Sequence, residues 1–561
     1  MVNTKRRAGR FVLLFFFFNT QKEGGVSKRR KSFEKEVDFS FRLVYTEYNY
    51  KLTDEERKQI MKRLLALLMA ALLLVTCFAM ASCDNETATA ESSEAGKEEI
   101  PEDKTLVPTL DDTREHEGKV LRVLAQEKEG VAFAQEPFGA HEVNSEPVND
   151  ACINRFAILE QTYGFTVEAE FVETWNEFPD RVEQDFMTGT ATYDVVSGGI
   201  TNLAPFAAEG MLMDLHSIDD SHLSLNETWW DKATQDDMTI AGKLFFATGD
   251  IILLDDEFTM CMFYNKGLVN DYGLENPTEL VKSGEWTLDK MYEMAVEVAH
   301  DTDNGTMEVT GEDVWGLVCV MFDTYKLVMG ADAPQVVKND KGLPELAMDR
   351  EYNLKAFEAV YEIMTDKQVT AVRENYYAWN DANANIVVDQ FYDGRALFMM
   401  NTISAVNTSI MREANIRYGI LPMPKYNADQ ENYATTVDPY SFTCISIVSS
   451  CEDTAFVTFA LEAMAYLGET MVTPEYYDRT LKNKRFPDDD DSPEILDIIF
   501  SNRLVDISVA FNWDDCIQYY NNIMWASGDV VSYVEKVRSR FETAMNQTVE
   551  FFELGVLPAG D

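Results

Sequence analysis

From Lys119 onward, short runs rich in β-branched residues alternate with stretches whose apolar residues recur every three to four positions. This alternation narrows the fold more than any other feature of the chain. KVLRVLA, starting at Lys119, reads as a strand; after Asn149 a helix follows with Ile153, Phe156 and Ala157 on one face, closing at Gly164. FTVEAEFV then places Phe165, Val167, Ala169 and Phe171 in strict alternation, and a further helical stretch leads to the buried-strand pattern YDVVSGG, ending at Gly199. Strands separated by helices form right-handed βαβ units in a largely parallel sheet, so the fold class is α/β.

A second set begins near FTMCMFYNK at Phe258. There Thr287 is placed to cap a helix and Trp286 to staple onto Met291, with Met291, Met294, Ala295 and Val298 along one face. VWGLVCVM, ALFMMN, RYGILPMP and FTCISIVSS are further strand candidates, and no internal repeat is apparent. A chain of 561 residues that is 46% hydrophobic has enough apolar surface for two or three domains.

Ahead of this body, Met61 opens the sequence MKRLLALLMAALLLVTCFAMASCDNE. A basic pair, a Leu/Ala-rich run and small residues before Cys83 make up the order that a signal peptide needs. The Met80-Ala81-Ser82-Cys83 stretch resembles a bacterial lipobox, with Met80 in place of the usual Leu. That likeness implies cleavage of 61–82 and lipidation of the Cys83 thiol, anchoring the protein to the extracytoplasmic face of a bacterial cell membrane. The competing reading is an uncleaved membrane span, for which the 19 residues Leu64–Ser82 suffice. Residues 83–118 begin with a polar, acidic, Ser/Thr/Ala-rich stretch and are expected to be a flexible tether. Residues 1–60 contain FVLLFFFF from Phe11 but no periodic pattern long enough for a domain. They are expected to be a spurious extension, with translation starting at Met61.

The formal net charge is −49, and from Cys83 onward 32 Lys and Arg stand against 89 Asp and Glu. Such a body repels phosphate backbones, which excludes nucleic acid as a partner. Six cysteines lie beyond the export segment, Cys152, Cys261, Cys319, Cys444, Cys451 and Cys516, with no CxxC or Cys/His zinc spacing. Cys261 and Cys319 sit in apolar runs and read as buried thiols, while the even number leaves disulfides open.

YDVVSGG followed by LAPFAAEGMLMDL, then FYNKGLVNDYGLENP with Trp286-Thr287, FYDGRALFM from Phe391 and YGILPMPKY from Tyr418 stand in an order and spacing similar to those of extracellular solute-binding protein family 1, the maltose-binding-protein-like group. The resemblance covers about Lys119 to the C-terminus. It implies two α/β lobes in the periplasmic-binding-protein-like arrangement, hinge crossings and an interlobe cleft for a solute. By position, 119–250 plus 451–500 would form the first lobe and 257–445 plus 505–561 the second. Crossings would fall near Gly249–Phe258, Ile445–Ser450 and 501–505. The implied function is that of an ABC importer's receptor, a monomer that captures a small solute, most simply a sugar or oligosaccharide, and delivers it to the permease's transmembrane subunits.

A sugar cleft needs flat apolar faces and fixed hydrogen-bonding groups. Ser197 and Gly198 end a strand, where free backbone N–H groups or an ordinary tight turn are both open readings. Asp250, Asp255 and Asp256 fall in the first crossing, facing the cleft or forming a solvated loop. Trp379 in YYAWND and Trp513 in FNWDD are aromatic residues beside polar ones; Asn401 follows a strand and Tyr440 precedes one. All nine are candidates for binding the ligand. In DTDNGTMEVTGE, Asp301, Asp303 and Glu312 hold the first, third and twelfth places of a calcium loop, but Gly305 comes one residue early and the fifth ligand is missing, which favours a surface turn. No cofactor is expected. With five His and no nucleophile, metalloprotease or phosphate-loop motif, an enzyme is not expected either. A surface-anchored glycoside hydrolase or a non-transport carbohydrate sensor is the alternative, since counting cannot exclude a carboxylate pair in so acidic a chain.

Overall fold

The computed structural model describes residues 105–554 apart from 111–112, 128–135, 141, 173–176, 478–490 and 527. The signal segment, Cys83 and the residues before them therefore lie outside the described part. One sheet has the order β12-β3-β1-β2. In it β1 (Val120–Gln126) lies between β2 (Thr166–Val172) and β3 (Val195–Gly199), parallel to both, and β12 (Thr443–Ile447) closes the edge antiparallel to β3. The apolar runs of β3 and β12 are buried along their whole length, as strands covered on both faces must be.

The second sheet has the order β10-β4-β9-β5-β8. Here β4 (Met260–Asn265) pairs antiparallel with β10 (Tyr418–Leu421) and β9 (Ala396–Thr402), while β5 (Trp315–Cys319) runs parallel to β9 and β8 (Thr370–Val372). A hairpin of β6 (Val336–Lys338) and β7 (Pro344–Leu346) stands apart, and β11 (Thr435–Thr436) pairs with β13 (Arg503–Leu504). These two sheets with their covering helices are the two lobes of a periplasmic-binding-protein-like fold. Thr287 Oγ1 accepts the Lys290 N–H at the start of helix Leu288–Val298, whose Met291, Met294, Ala295 and Val298 are buried on one face. The Trp286 indole beside them is fully buried and donates to the Pro422 carbonyl. Segment Thr454–Tyr477 is long and apolar enough to cross a membrane, but 83% of its most apolar stretch is buried inside the protein, as a core helix would be.

Three expectations need revision. First, Ile445 belongs to β12 and pairs with Ser197, so the return passage precedes that strand: it runs over Asp438–Phe442, after the bridge between Val437 and Thr259. A run of β-branched residues prefers the ladder, which is why FTCISIVSS is strand and not crossing. Second, the tether's C-terminal part is packed. Val107 and Leu110 are buried, the Val107 N–H donates to the Tyr163 hydroxyl, and Thr109 donates to Glu462. Two apolar residues suffice to dock a chain that enters beside an apolar surface. Third, the C-terminal segment packs on both lobes. Phe552 of helix Val530–Leu554 stands edge-on to Phe245 near the first sheet, and the same helix packs against helix Glu351–Thr365 of the second lobe.

Candidate functional site

The largest of the described cavities, about 960 Å³, opens beside the return passage. Its walls come from four places. Phe322 precedes a helix after β5; Arg373 to Trp379 form the loop after β8; Tyr440 sits in the passage itself. The remaining wall is helix Ile517–Ala526, which presents Gln518, Asn521, Asn522 and Trp525. Those four fall at i, i+3, i+4 and i+7, one helical face, while Ile517, Tyr520 and Ile523 bury the other. Trp379 and Trp525 are 75% and 61% exposed, far more than large aromatics ordinarily are.

The chemistry of this cavity is aromatic and amide. Phe322 stacks on Tyr325 with centroids 5.3 Å apart and leans on Tyr440 at 5.7 Å. Arg373 is the charged exception, and Glu374 neutralises it through bonds of 2.9 and 2.5 Å from Nε and Nη2. Glu374 in turn accepts the Met321 N–H at 2.7 Å, so the pair is fixed from both sides. Burial raises the Tyr440 hydroxyl above the usual phenol value, keeping it a neutral donor.

A smaller cavity of about 290 Å³ adjoins it and shares Arg373; Asp323, Lys326, Asn385, Asp389 and Asn401 are among its lining residues. Burial pulls the Lys326 ammonium down, but Asp323 at 3.1 Å and Asp438 at 3.3 Å outweigh it and hold it above the ordinary lysine value. Asn401 turns its Oδ1 onto the N–H of Thr402.

Trp379 and Tyr440 thus meet in the larger cavity and Asn401 lines the smaller one. The other candidates lie elsewhere. The Trp513 indole is 3% exposed; it stacks on Phe511, stands edge-on to Phe541 and donates to Thr548, so it is core and not cleft. Ser197 is buried within the first sheet. Gly198 is a close approach, since a Cβ there would come within 2.7 Å of Phe178. The N–H after it, on Gly199, is taken by Gln126. A Cβ on Gly199 would lie 2.9 Å from the Tyr440 carbonyl, so the strand end abuts the passage that lines the cavity.

Asp255 and Asp256 do not face a cleft. Arg503, between the lobes, holds Asp231 at 2.5 Å, Asp256 at 2.8 Å and Asp255 at 3.5 Å. One guanidinium cannot neutralise three carboxylates; burial raises both Asp255 and Asp256 above the usual range, with Arg503 opposing. Half-buried Asp250 accepts from Thr473 and is pushed by burial up to about 7. A charged residue in a crossing is thus a tie between segments, which its own sequence neighbours do not disclose.

The calcium-loop reading also changes. Glu312 is exposed and lies 3.8 Å from Arg395, while Asp313, one position later, joins Asp301 and Asp303 with carboxylate oxygens within 4.8 Å. Asp301 accepts the N–H groups of Asp303, Asn304 and Gly305, which hold it below the usual carboxylate range, and Asp313 accepts those of Thr302 and Glu308. These are the bonds of a turn. All six cysteines of the described residues are free and buried.

The chain thus folds into two α/β lobes, with a cavity of amides and aromatics beside the segment that contains Tyr440. The sequence matches the family of bacterial extracellular solute-binding proteins over residues 128–469, more than half of the chain, and the protein belongs to that family. Members are non-catalytic receptors that work outside the cytoplasm, at the membrane, with ABC transporters. Solved structures agree on the fold. UspC of M. tuberculosis superposes with a TM-score of 0.51 at 15% identity, covering 76% of this chain and 100% of its own. A cyclo/maltodextrin-binding protein complexed with maltotetraose gives 0.51 at 14%, covering 78% and 99%. A sugar transporter protein of Rhizobium etli in an open conformation gives 0.51 at 12%, covering 77% and 99%. No curated protein sequence matches.

Proposed function

We propose that this receptor captures a neutral sugar or oligosaccharide in the cavity bounded by Trp379, Tyr440 and Trp525 and delivers it to the transmembrane subunits of an ABC importer. The observation that carries the reading is the pairing of two largely exposed indoles with Gln518, Asn521 and Asn522 in a cavity whose one cation is already neutralised. Indole faces suit the C–H side of pyranose rings, and amides both donate to and accept from hydroxyls. Such a set gives a fixed anion nothing to pair with. The fold neighbour complexed with maltotetraose is consistent with this chemistry. Closure is part of the reading. The first passage, between the bridges at Ala247 and Thr259, the second over Asp438–Phe442 and the third at Arg503–Leu504 serve as hinges between the lobes. Solute touching both lobes favours the closed form by its differential affinity. Lipidation at Cys83 would keep the monomeric receptor beside its permease.

Calorimetry over a panel of neutral mono- and oligosaccharides tests the reading. At least one should bind with no turnover, and Trp379→Ala and Trp525→Ala should each weaken it. If only charged solutes bind, or sugar binding survives both substitutions, this cavity is not the sugar site.

A further inference from the structure

A second cluster lies far along the chain from the cavity-lining residues. Glu115 and His116 sit in the turn just before β1, and His222 sits in the loop after the short helical turn Leu215–Ser217. One ring nitrogen of each histidine and a carboxylate oxygen of Glu115 lie within 4.8 Å of one another. His116 is 5% exposed, and its Nε2 is buried without a hydrogen-bond partner. A buried polar atom left unpaired is costly, and one beside a second imidazole and a carboxylate calls for an explanation.

We propose that Glu115, His116 and His222 form a binding site for a borderline divalent transition-metal ion, Zn²⁺ being the reference case, that fastens the entering chain to the first lobe. Two imidazoles and a carboxylate are a donor set that suits zinc, leaving a fourth position for water. The ring centroids stand 5.9 Å apart with planes at 83°. Imidazoles on one tetrahedral ion at Zn–N distances of ~2.0–2.1 Å would have centroids roughly 5–6 Å apart. Both rings are steadied from behind by Phe459, with centroids 4.9 and 5.6 Å away, and the His222 N–H donates to Thr458.

Lys119 supplies the competing contact. Its ammonium lies 3.0 Å from His116 Nδ1 and 2.7 Å from Asp453. With the lysine donating to Nδ1, the ring's single proton sits on Nε2. Metal at Nε2 needs the other tautomer, with the proton on Nδ1, so Lys119 must turn away and keep Asp453 alone. The site therefore works against its own lysine, which gives the test a direction.

Co²⁺, whose visible bands report ligand geometry, should be titrated into the purified full chain with millimolar Ca²⁺ present to occupy general carboxylate sites. One equivalent should bring up bands of four-coordinate intensity, which Zn²⁺ then displaces. His222→Ala, at a half-buried position, should weaken binding at least tenfold while leaving the melting temperature without metal nearly unchanged. Asp303→Asn, in the acidic turn, should alter nothing, and Lys119→Met should bind more tightly. Absence of bands, bands that persist in His222→Ala, bands lost in Asp303→Asn, or weaker binding by Lys119→Met would each overturn the assignment.

Discussion

The protein contains two polar regions built on opposite terms. Around Arg503, three carboxylates converge on one guanidinium, Asp255 buried and Asp231 and Asp256 largely covered. In the cavity beside Tyr440, two indoles stand open among uncharged amides. In so acidic a protein, a buried Arg with several Asp fixes segments to one another because the bonds are directional and costly to leave half-made. The cavity's amides are uncharged and bond within their own wall, Asn521 donating to Gln518 at 3.1 Å, so they order that wall without burying a charge. The contrast predicts that changes in the first region are read as stability and changes in the second as affinity.

The largest effect should come from Arg503→Met, which leaves Asp231, Asp255 and Asp256 buried without their cation and should cost about 3–5 kcal/mol in urea unfolding. A loss below about 1 kcal/mol would mean that the cluster hydrates freely. Next is pH. Asp250 rises from the ordinary 3.8 to about 7 in the folded protein, so between those values the folded state holds the extra proton. Its contribution is full below pH ~4 and is lost as pH rises through about 7, the slope following proton uptake. Stability should fall by up to a few kcal/mol over that window from this group, and Asp250→Asn should flatten the profile measured between pH 5 and 8.

Gly468→Ala sharpens the same side of the comparison. Its Cβ would come within 1.8 Å of the Asp250 carbonyl in the first passage, and a backbone carbonyl cannot step aside as a side chain can. Overpacking of this kind costs about 1–3 kcal/mol, measured as a lower denaturation midpoint. The smallest changes in stability belong to the cavity. Trp379→Ala and Trp525→Ala should stay within about 0.5 kcal/mol of the parent while each weakens solute binding about tenfold, or about 1.4 kcal/mol by calorimetry. Equal losses of stability in these variants would erase the distinction between the two regions.

The fold was legible where local pattern and tertiary role agree. The alternation in FTVEAEFV and the apolar run YDVVSGG became β2 and β3, and Thr287 caps the helix it precedes, because period and capping are properties of a few adjacent residues. Trp379 and Trp513 show where this ends. Both stand next to Asn and Asp residues, yet Trp513 is covered by Phe511, Phe541 and Thr548, the last two from a helix that begins at Val530. Asp255 was beyond local reading for the same reason, its cation lying 248 positions away at Arg503. Trp525 was missed although a signal existed. Gln518, Asn521, Asn522 and Trp525 make a helical stripe that is neither apolar nor charged, as a face meant for neither core nor plain solvent would be.

The C-terminal helix has a mechanical consequence. Phe552 meets Phe245 of the first lobe through ring edges, while the same helix also packs on helix Glu351–Thr365 of the second. Dispersion between rings changes little when one slides past the other, whereas the bonds of Arg503 fail within an ångström or so. Relative rotation of the lobes would therefore pivot at the arginine and slip at the phenylalanines. In such a rotation the arginine would act as a pin and the phenylalanine pair as a bearing.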